Sequence, residues 1–325
     1  MATKTEAFLD REILHDHLLE DYKQGFFNET LPEFNKLERR ISRIIKEAYG
    51  QNLGIRRRNQ VIREIQEEIR DFTETIEDLT LNEMEEFSDV LFEMDHNVYE
   101  DLLGDIELNQ PEFHAAIMEE LQPTNNGNVM SMALLLQAMA DVLERDASGI
   151  VKRMGIVDED EAQLAQYYDS TFRKARNNLN VFAVTAVALT AGSMRNRFYN
   201  TNRDHIRGFQ YVAVMDSRTT PLCQSLHTGI WYYDNPELST LPGEYHPPLH
   251  PRCRSTTIPI FVGEDAVEMP TYSEWFERQP ENIKRDVLGP ARYRLYADGD
   301  LSFDQFYANM GRKLTLNELR EIIQR

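Results

Sequence analysis

Residues 209–261 read FQYVAVMDSRTTPLCQSLHTGIWYYDNPELSTLPGEYHPPLHPRCRSTTIPIF, and they divide the chain. On either side, apolar residues recur every three or four positions, the period of amphipathic helices; inside the stretch that period is lost. FQYVAVMD (209–216), TGIWYY (228–233) and STTIPIF (255–261) have the β-branched, aromatic texture of short strands. Prolines 221, 236, 242, 247, 248, 251 and 259 exclude long helices between them. The expectation is a mainly α protein with a small α+β module: long N-terminal helices, three short strands near 209–261, and short C-terminal helices.

The same stretch concentrates ligand chemistry. It holds both cysteines, Cys223 and Cys253, and three of the eight histidines, His227, His246 and His250. Cys223 and His227, then His250 and Cys253, form two mixed knuckles separated by a loop, a spacing that suits a tetrahedral zinc ion. Three other readings stay open at this level: a proline-tied loop with buried cysteines, a reversible disulfide, and a cysteine nucleophile paired with His250. Asp216, Ser217 and Thr219 end the first strand, where such side chains cap backbone N–H groups. Arg218, Arg252 and Arg254 have Asp216, the acidic part of the chain or a phosphate as partners.

N-terminal to the module, Leu37, Ile41, Ile44, Ile45 and Ala48, then Val61, Ile62, Ile65 and Ile69, predict two helices from Leu31 to about Arg70, folded as a hairpin across YGQNLG (49–54). Residues 71–121 continue in helical style, QPTNNGN (122–128) is a loop, and helices follow near 129–145 and 158–200. Charge is segregated along this half. From Lys36 to Arg63 there are nine Lys or Arg and two acidic residues, whereas from Asp71 to Glu144 there are nineteen acidic residues and no Lys or Arg. Lys36, Arg39, Arg40, Arg43 and Lys46 lie opposite the isoleucine stripe, available to an acidic partner or to DNA, or simply solvated. C-terminal to the module, Thr271 with Glu274, Ser302 with Gln305 and Thr315 with Glu318 read as capping boxes, and Gly289–Pro290 as the junction of two helices.

With 325 residues, 41% of them hydrophobic, the chain has room for two or three units. The boundaries expected are 1–157 for a helical N-terminal region, 158–270 for a helix plus the α+β module, and 271–325 for a helical tail. A net charge of −20 argues against coating of nucleic acid by the whole chain. The opening MATKTEAFLDREILHDH is charged throughout and carries no secretory signal, and the most apolar runs, 129–143 and 181–192, are too short to span a bilayer. No Gly-rich phosphate loop or nucleophile elbow marks the N-terminal half.

Taken together, AVMDSRTTPLCQSLHTGIW, HPPLHPRCRS and the series from YSEWFERQPENIKRDVLGPARY to LTLNEL resemble the phage head-morphogenesis, or minor capsid, family that includes the Mu F-like proteins. Asp216, Arg218, Thr219, Cys223, Pro247, Pro248, His250, Cys253 and Arg254 carry the resemblance. Trp275, Gln279, Pro280, Val287, Leu288, Gly289 and 314–316 extend it, so that it runs from near Asp169 to the end. Members often close the motif with Cys-Arg-Cys, where this chain has Ser255. The resemblance implies a structural, non-enzymatic protein of the virion head. It implies association with the portal and other head proteins, an influence on DNA packaging or ejection, and the host cytoplasm as the place of assembly. A reading from a different class is a metal-dependent hydrolase or nuclease, with His246 or Asp216 as the base beside a Cys/His metal site.

Overall fold

The computed structural model describes residues 4–49, 54–104, 109, 115–120, 122–123, 129–154, 161–307 and 313–324. Four long helices come first: α1 (Lys4–Ala48), α2 (Ile55–Leu103), α3 (Met132–Arg153) and α4 (Glu161–Thr201). They pack on one another as a bundle. On α1, Phe34, Leu37, Ile41, Ile45 and Ala48 are buried, and on α2 Val61, Ile65, Ile69, Phe72 and Ile76 face them. Each such side chain taken from water contributes roughly 1.5 to 3 kcal/mol, repeated at every turn.

Helix boundaries differ from the sequence expectation. Helix α1 does not start at Leu31 but runs unbroken from Lys4, with Pro32 inside it. A proline at the first turn and a proline in an interior look alike in a sequence; burial of Phe26 and Phe34 on either side carries the helix through. Helix α2 likewise does not end near Arg70, because Phe72, Ile76, Thr80, Met84 and Phe87 continue its buried stripe. The expected hairpin turn falls partly on residues 50–53, and part of the 71–121 segment and of the 122–128 loop also lies outside the described residues. The start of that loop, β1 (Gln122–Pro123), pairs with β2 (Val129–Met130), so that the helix expected from about 129 begins at Met132.

The module is a three-stranded antiparallel sheet in the order β4-β3-β5, built from β3 (Ile206–Val212), β4 (Ile230–Tyr232) and β5 (Thr256–Phe261), with the short helix α5 (Pro221–Leu226) between β3 and β4. β5 lies at the edge of the sheet, yet every residue in it is buried. Helix α1 approaches it, and α4 bonds to it: the Tyr199 hydroxyl donates to the Thr257 carbonyl at 3.0 Å and Arg195 donates to the Thr256 hydroxyl. Pro259, which has no N–H to donate, is tolerated at such an edge.

Helix α4 belongs to both layers. Its residues from Leu164 to Ala191 sit in the bundle core, whereas Phe198 and Tyr199 belong to the core under the sheet. A boundary at 157 therefore passes through one continuous core. The tail has its own core of Tyr272, Phe276, Val287, Leu288, Leu301, Phe303, Phe306 and Leu319. It is laid out in α6 (Tyr272–Glu277), α7 (Glu281–Leu288), α8 (Pro290–Ala297) and α9 (Leu316–Ile323). Gly289, at φ +77, makes the break between α7 and α8. The expected reciprocal caps form: Glu274 accepts from the Thr271 N–H at 2.8 Å, Gln305 from Ser302 at 2.8 Å and Glu318 from Thr315 at 2.7 Å. Among the described residues no helix is long and apolar enough to cross a membrane.

Candidate functional site

Where β3 ends, Asp216 turns the chain. Its Oδ1 accepts from the Arg218 N–H at 2.9 Å, and Thr219 closes the turn through its hydroxyl on the Val214 carbonyl. Arg254, in the irregular segment just before β5, grips the same carboxylate with both arms, at 2.8 and 2.6 Å. Burial alone would raise the Asp216 carboxyl; the paired Arg254 and the Arg218 backbone overcome it and hold the group well below the usual carboxylate range. Asp216, Arg218, Thr219 and Arg254 are thus brought together as a structural clasp.

The turn hands over to Thr220, whose hydroxyl caps α5 and places Cys223 on the inward face of that helix. From the other side comes the turn at 247–253. It is seated on α4: a Cβ built on Gly192 would fall 2.0 Å from the Pro247 carbonyl oxygen, so only glycine lets the two backbones touch. The Arg252 N–H donates to the Thr185 hydroxyl at 3.1 Å, and its guanidinium reaches Asn177 and Asn180 at 3.2 and 2.7 Å. These contacts bring His250 and Cys253 to Cys223. Cys223 Sγ lies 3.2 Å from His250 Nε2 and 3.7 Å from Cys253 Sγ.

Both cysteines are buried and free. The hydrogen bond between the two sulfurs drives them apart in acidity, and burial adds to the rise of Cys223, which moves up while Cys253 moves down. Burial opposes the fall of Cys253, but backbone bonds with Leu249 and Ser255 and the Ser255 side chain add to it. Ser255, two positions after Cys253, therefore supports it. Burial lowers His250, but the adjoining Cys223 raises it, and the net direction is up.

His227 does not join this cluster. Its Nδ1 accepts from the Ala213 N–H at 3.0 Å and its Nε2 stands 3.1 Å from the Pro270 carbonyl, so both nitrogens tie the end of β3 to the start of the tail. Burial pushes its pKa down and keeps it neutral in that role. Sequence spacing paired it with Cys223 as one knuckle of a zinc site; α5 ends at Leu226, and His227, beyond that last turn, leaves the helix in an extended direction. His246 is held at 3.1 Å by Glu244 and packs its ring on Phe209, with centroids 4.4 Å apart. Of the two residues nominated as a hydrolytic base, Asp216 is engaged by Arg254 and His246 by Glu244.

Residues 151–258 match the sequence model of the family described as Phage Mu protein F like protein. This segment is similar to the Mu F-like family. The matched residues include α4, the helix whose Asn177, Asn180, Thr185 and Gly192 seat the Cys/His turn. The Mu F-like segment thus begins before the resemblance read near Asp169, and it ends inside β5, so Trp275, Gln279 and Gly289 of the tail lie beyond it. Comparison with curated proteins and with solved structures returns no match.

A cavity of about 270 Å³ opens beside the clasp, between the Glu20 turn of α1, the Gly192 turn of α4 and the segment leading into β5. Lys23, Arg195, Arg218 and Arg254 line it with Glu20. No sequence pattern pointed to Lys23 or Arg195, which reach the Mu F-like site from distant turns of two helices. At the far end of α1, Lys36, Arg39, Arg40, Arg43 and Lys46 are all exposed on the face away from the isoleucines. Lys36 pairs with Glu33 at 2.5 Å and Arg40 crosses to Glu68 at 3.0 Å, while Arg39, Arg43 and Lys46 border an open groove with Tyr168.

Proposed function

We propose that this chain is a structural head-morphogenesis protein of a tailed phage, a minor head component that associates with the portal and other head proteins. It works in the host cytoplasm during assembly and is carried in the virion. The observation that carries this reading is the Mu F-like segment, 151–258. The motif residues of that segment spend their chemistry on holding the fold: Asp216 on Arg254, Arg252 on α4, His227 on Pro270. That use favours a scaffold over a hydrolase or nuclease.

The bundle supplies surfaces for docking. Helices α1 and α2, of 45 and 49 residues, extend for roughly 65 to 75 Å. The basic row of α1 occupies one part of that length and the acidic stretch of α2 another, an arrangement that steers and orients a partner rather than one that fixes a fold. We place the contact with an acidic surface of the portal or head at Arg39, Arg43 and Lys46.

The test is particle composition and assembly. Mass spectrometry of purified virions should find the chain at low copy number, and phage lacking it should accumulate defective heads. Its absence from both mature particles and assembly intermediates would sink the proposal. A variant with Arg39→Glu, Arg43→Glu and Lys46→Glu should lose co-purification with the portal while keeping its helical circular dichroism. If the wild-type chain instead binds duplex DNA with a steep salt dependence that this variant lacks, the basic face serves packaged DNA.

A further inference from the structure

The α5 cluster joins donor atoms of the kind that hold a borderline-soft cation, with no carboxylate among them. Cys223 Sγ, His250 Nε2 and Cys253 Sγ all lie within 4.8 Å of one another. We propose that these three atoms form a zinc site whose fourth ligand is a solvent molecule. The inference stands apart from the head-morphogenesis reading and neither needs it nor tests it.

Spacing supports it first. With Zn–S lengths of about 2.3 Å, two thiolates on a tetrahedral ion stand roughly 3.8 Å apart, and a sulfur and an imidazole nitrogen roughly 3.5 Å apart. The corresponding separations here are 3.7 and 3.2 Å. These two pairs would reach zinc spacing with shifts of a few tenths of an ångström, and the third pair, His250 Nε2 and Cys253 Sγ, lies within 4.8 Å.

Orientation supports it next. His250 Nδ1 is 3.0 Å from the Pro251 carbonyl and donates to it, which turns the Nε2 lone pair toward the sulfurs. A histidine held by its far N–H on a carbonyl is what a zinc-bound imidazole requires, because that bond fixes both tautomer and ring direction. The sulfurs have outer partners as well: the Tyr211 hydroxyl lies 3.3 Å from Cys223 Sγ, and Ser255 bonds to Cys253. Cys223 is anchored by the Thr220 cap, and the turn bearing His250 and Cys253 is anchored on α4. The ligands are therefore placed before any ion arrives.

Beside the cluster lies a recess of about 20 Å³, lined by Thr220, Cys223, His250 and Ser255 and by Arg218, Arg252 and Arg254, with room for about one water, and it is the place for the fourth ligand. The Thr220 hydroxyl, 2.9 Å from His250 Nε2, donates to that nitrogen in the metal-free chain and is free to turn toward the incoming water. The nearby guanidiniums are each held by a partner outside the cluster. Two thiolates neutralise Zn²⁺, Arg218 and Arg254 are engaged by Asp216, and Arg252 is engaged by Asn177 and Asn180.

The experiment uses the full chain, reduced and stripped with a chelator, titrated with Zn²⁺ against a chromophoric chelator and, separately, with Co²⁺. The expected result is one ion per chain and a cobalt spectrum with thiolate charge-transfer bands and intense tetrahedral d–d bands. Cys223→Ser and Cys253→Ser should each weaken binding by at least about 100-fold and His250→Gln by at least about 10-fold, while His246→Gln leaves it unchanged. Should the serine variants fail to fold, the cobalt spectrum of the wild type decides by itself. Absence of the charge-transfer bands, wild-type affinity in His250→Gln, or a Cys223–Cys253 disulfide in freshly isolated protein would each overturn the site.

Discussion

The bundle and the Mu F-like module are held together in different ways. In the bundle, α1 and α2 repeat one contact at every turn, an apolar side chain such as Ile41 or Ile65 against its neighbours, and the charges outside are solvated. In the module a few directed contacts are each made once: Gly192 under Pro247, Arg254 on Asp216, His227 on Pro270. Repetition spreads stability over many residues, so that no charged side chain matters much. Single contacts concentrate it, so that individual polar or backbone positions matter a great deal.

The largest effect expected from this contrast is at Gly192. Gly192→Ala puts a methyl group into the Pro247 carbonyl, and backbone cannot yield as a flexible side chain would. Chemical denaturation should show a loss of about 3 kcal/mol or more, or a turn lifted from α4. A loss under about 1 kcal/mol would mean that the turn is not seated on the helix, and the contrast would fail.

Next is Asp216→Asn, which removes the charge from the Arg254 clasp and should lower stability by about 2 kcal/mol near neutral pH. The sign with pH follows from the depressed carboxyl. Its folded-state value lies below the unfolded one, so its stabilisation is complete above about pH 4 and fades as pH falls toward the lower folded value. The gap between wild type and Asp216→Asn should therefore close on acidification below about pH 4. A gap that stays constant down to pH 2 would show that the clasp contributes through shape and not charge.

Smallest of the three is Arg40→Ala in the bundle. The Arg40–Glu68 pair is exposed, at 3.0 Å, and removing it should change stability by less than about 0.5 kcal/mol. A loss above about 1 kcal/mol would show that ion pairs across the hairpin share the work of the apolar stripe.

The same contrast explains what could be read beforehand. The bundle stripes, the sheet strands and the capping boxes are local patterns, and Ile41, Phe209 and Thr271 announce them within one or two turns of chain. The helix limits were harder: Pro32 resembles a start, and the absence of basic residues after Asp71 resembles a change of segment, although burial continues through both. In the site, the Cys/His spacing singled out Cys223, His250 and Cys253, which do meet. It equally singled out His227, which does not, because spacing carries no direction. Thr220 and Tyr211 carried no signal at all, since a cap and a buried tyrosine are ordinary until they are seen beside a sulfur.

By itself the sequence determined where helices give way to strands, which faces are apolar, and the Mu F-like character of the Asp216-to-Cys253 motif, because each depends on residues close together in the chain. Only the tertiary structure decided that α4 passes from one core into the next and that Gly192 admits the Pro247 turn. It also decided that His227 faces Pro270 while His250 faces the cysteines. Those outcomes depend on which surfaces far apart in sequence are pressed together, and a side chain's direction is fixed only when its neighbours are.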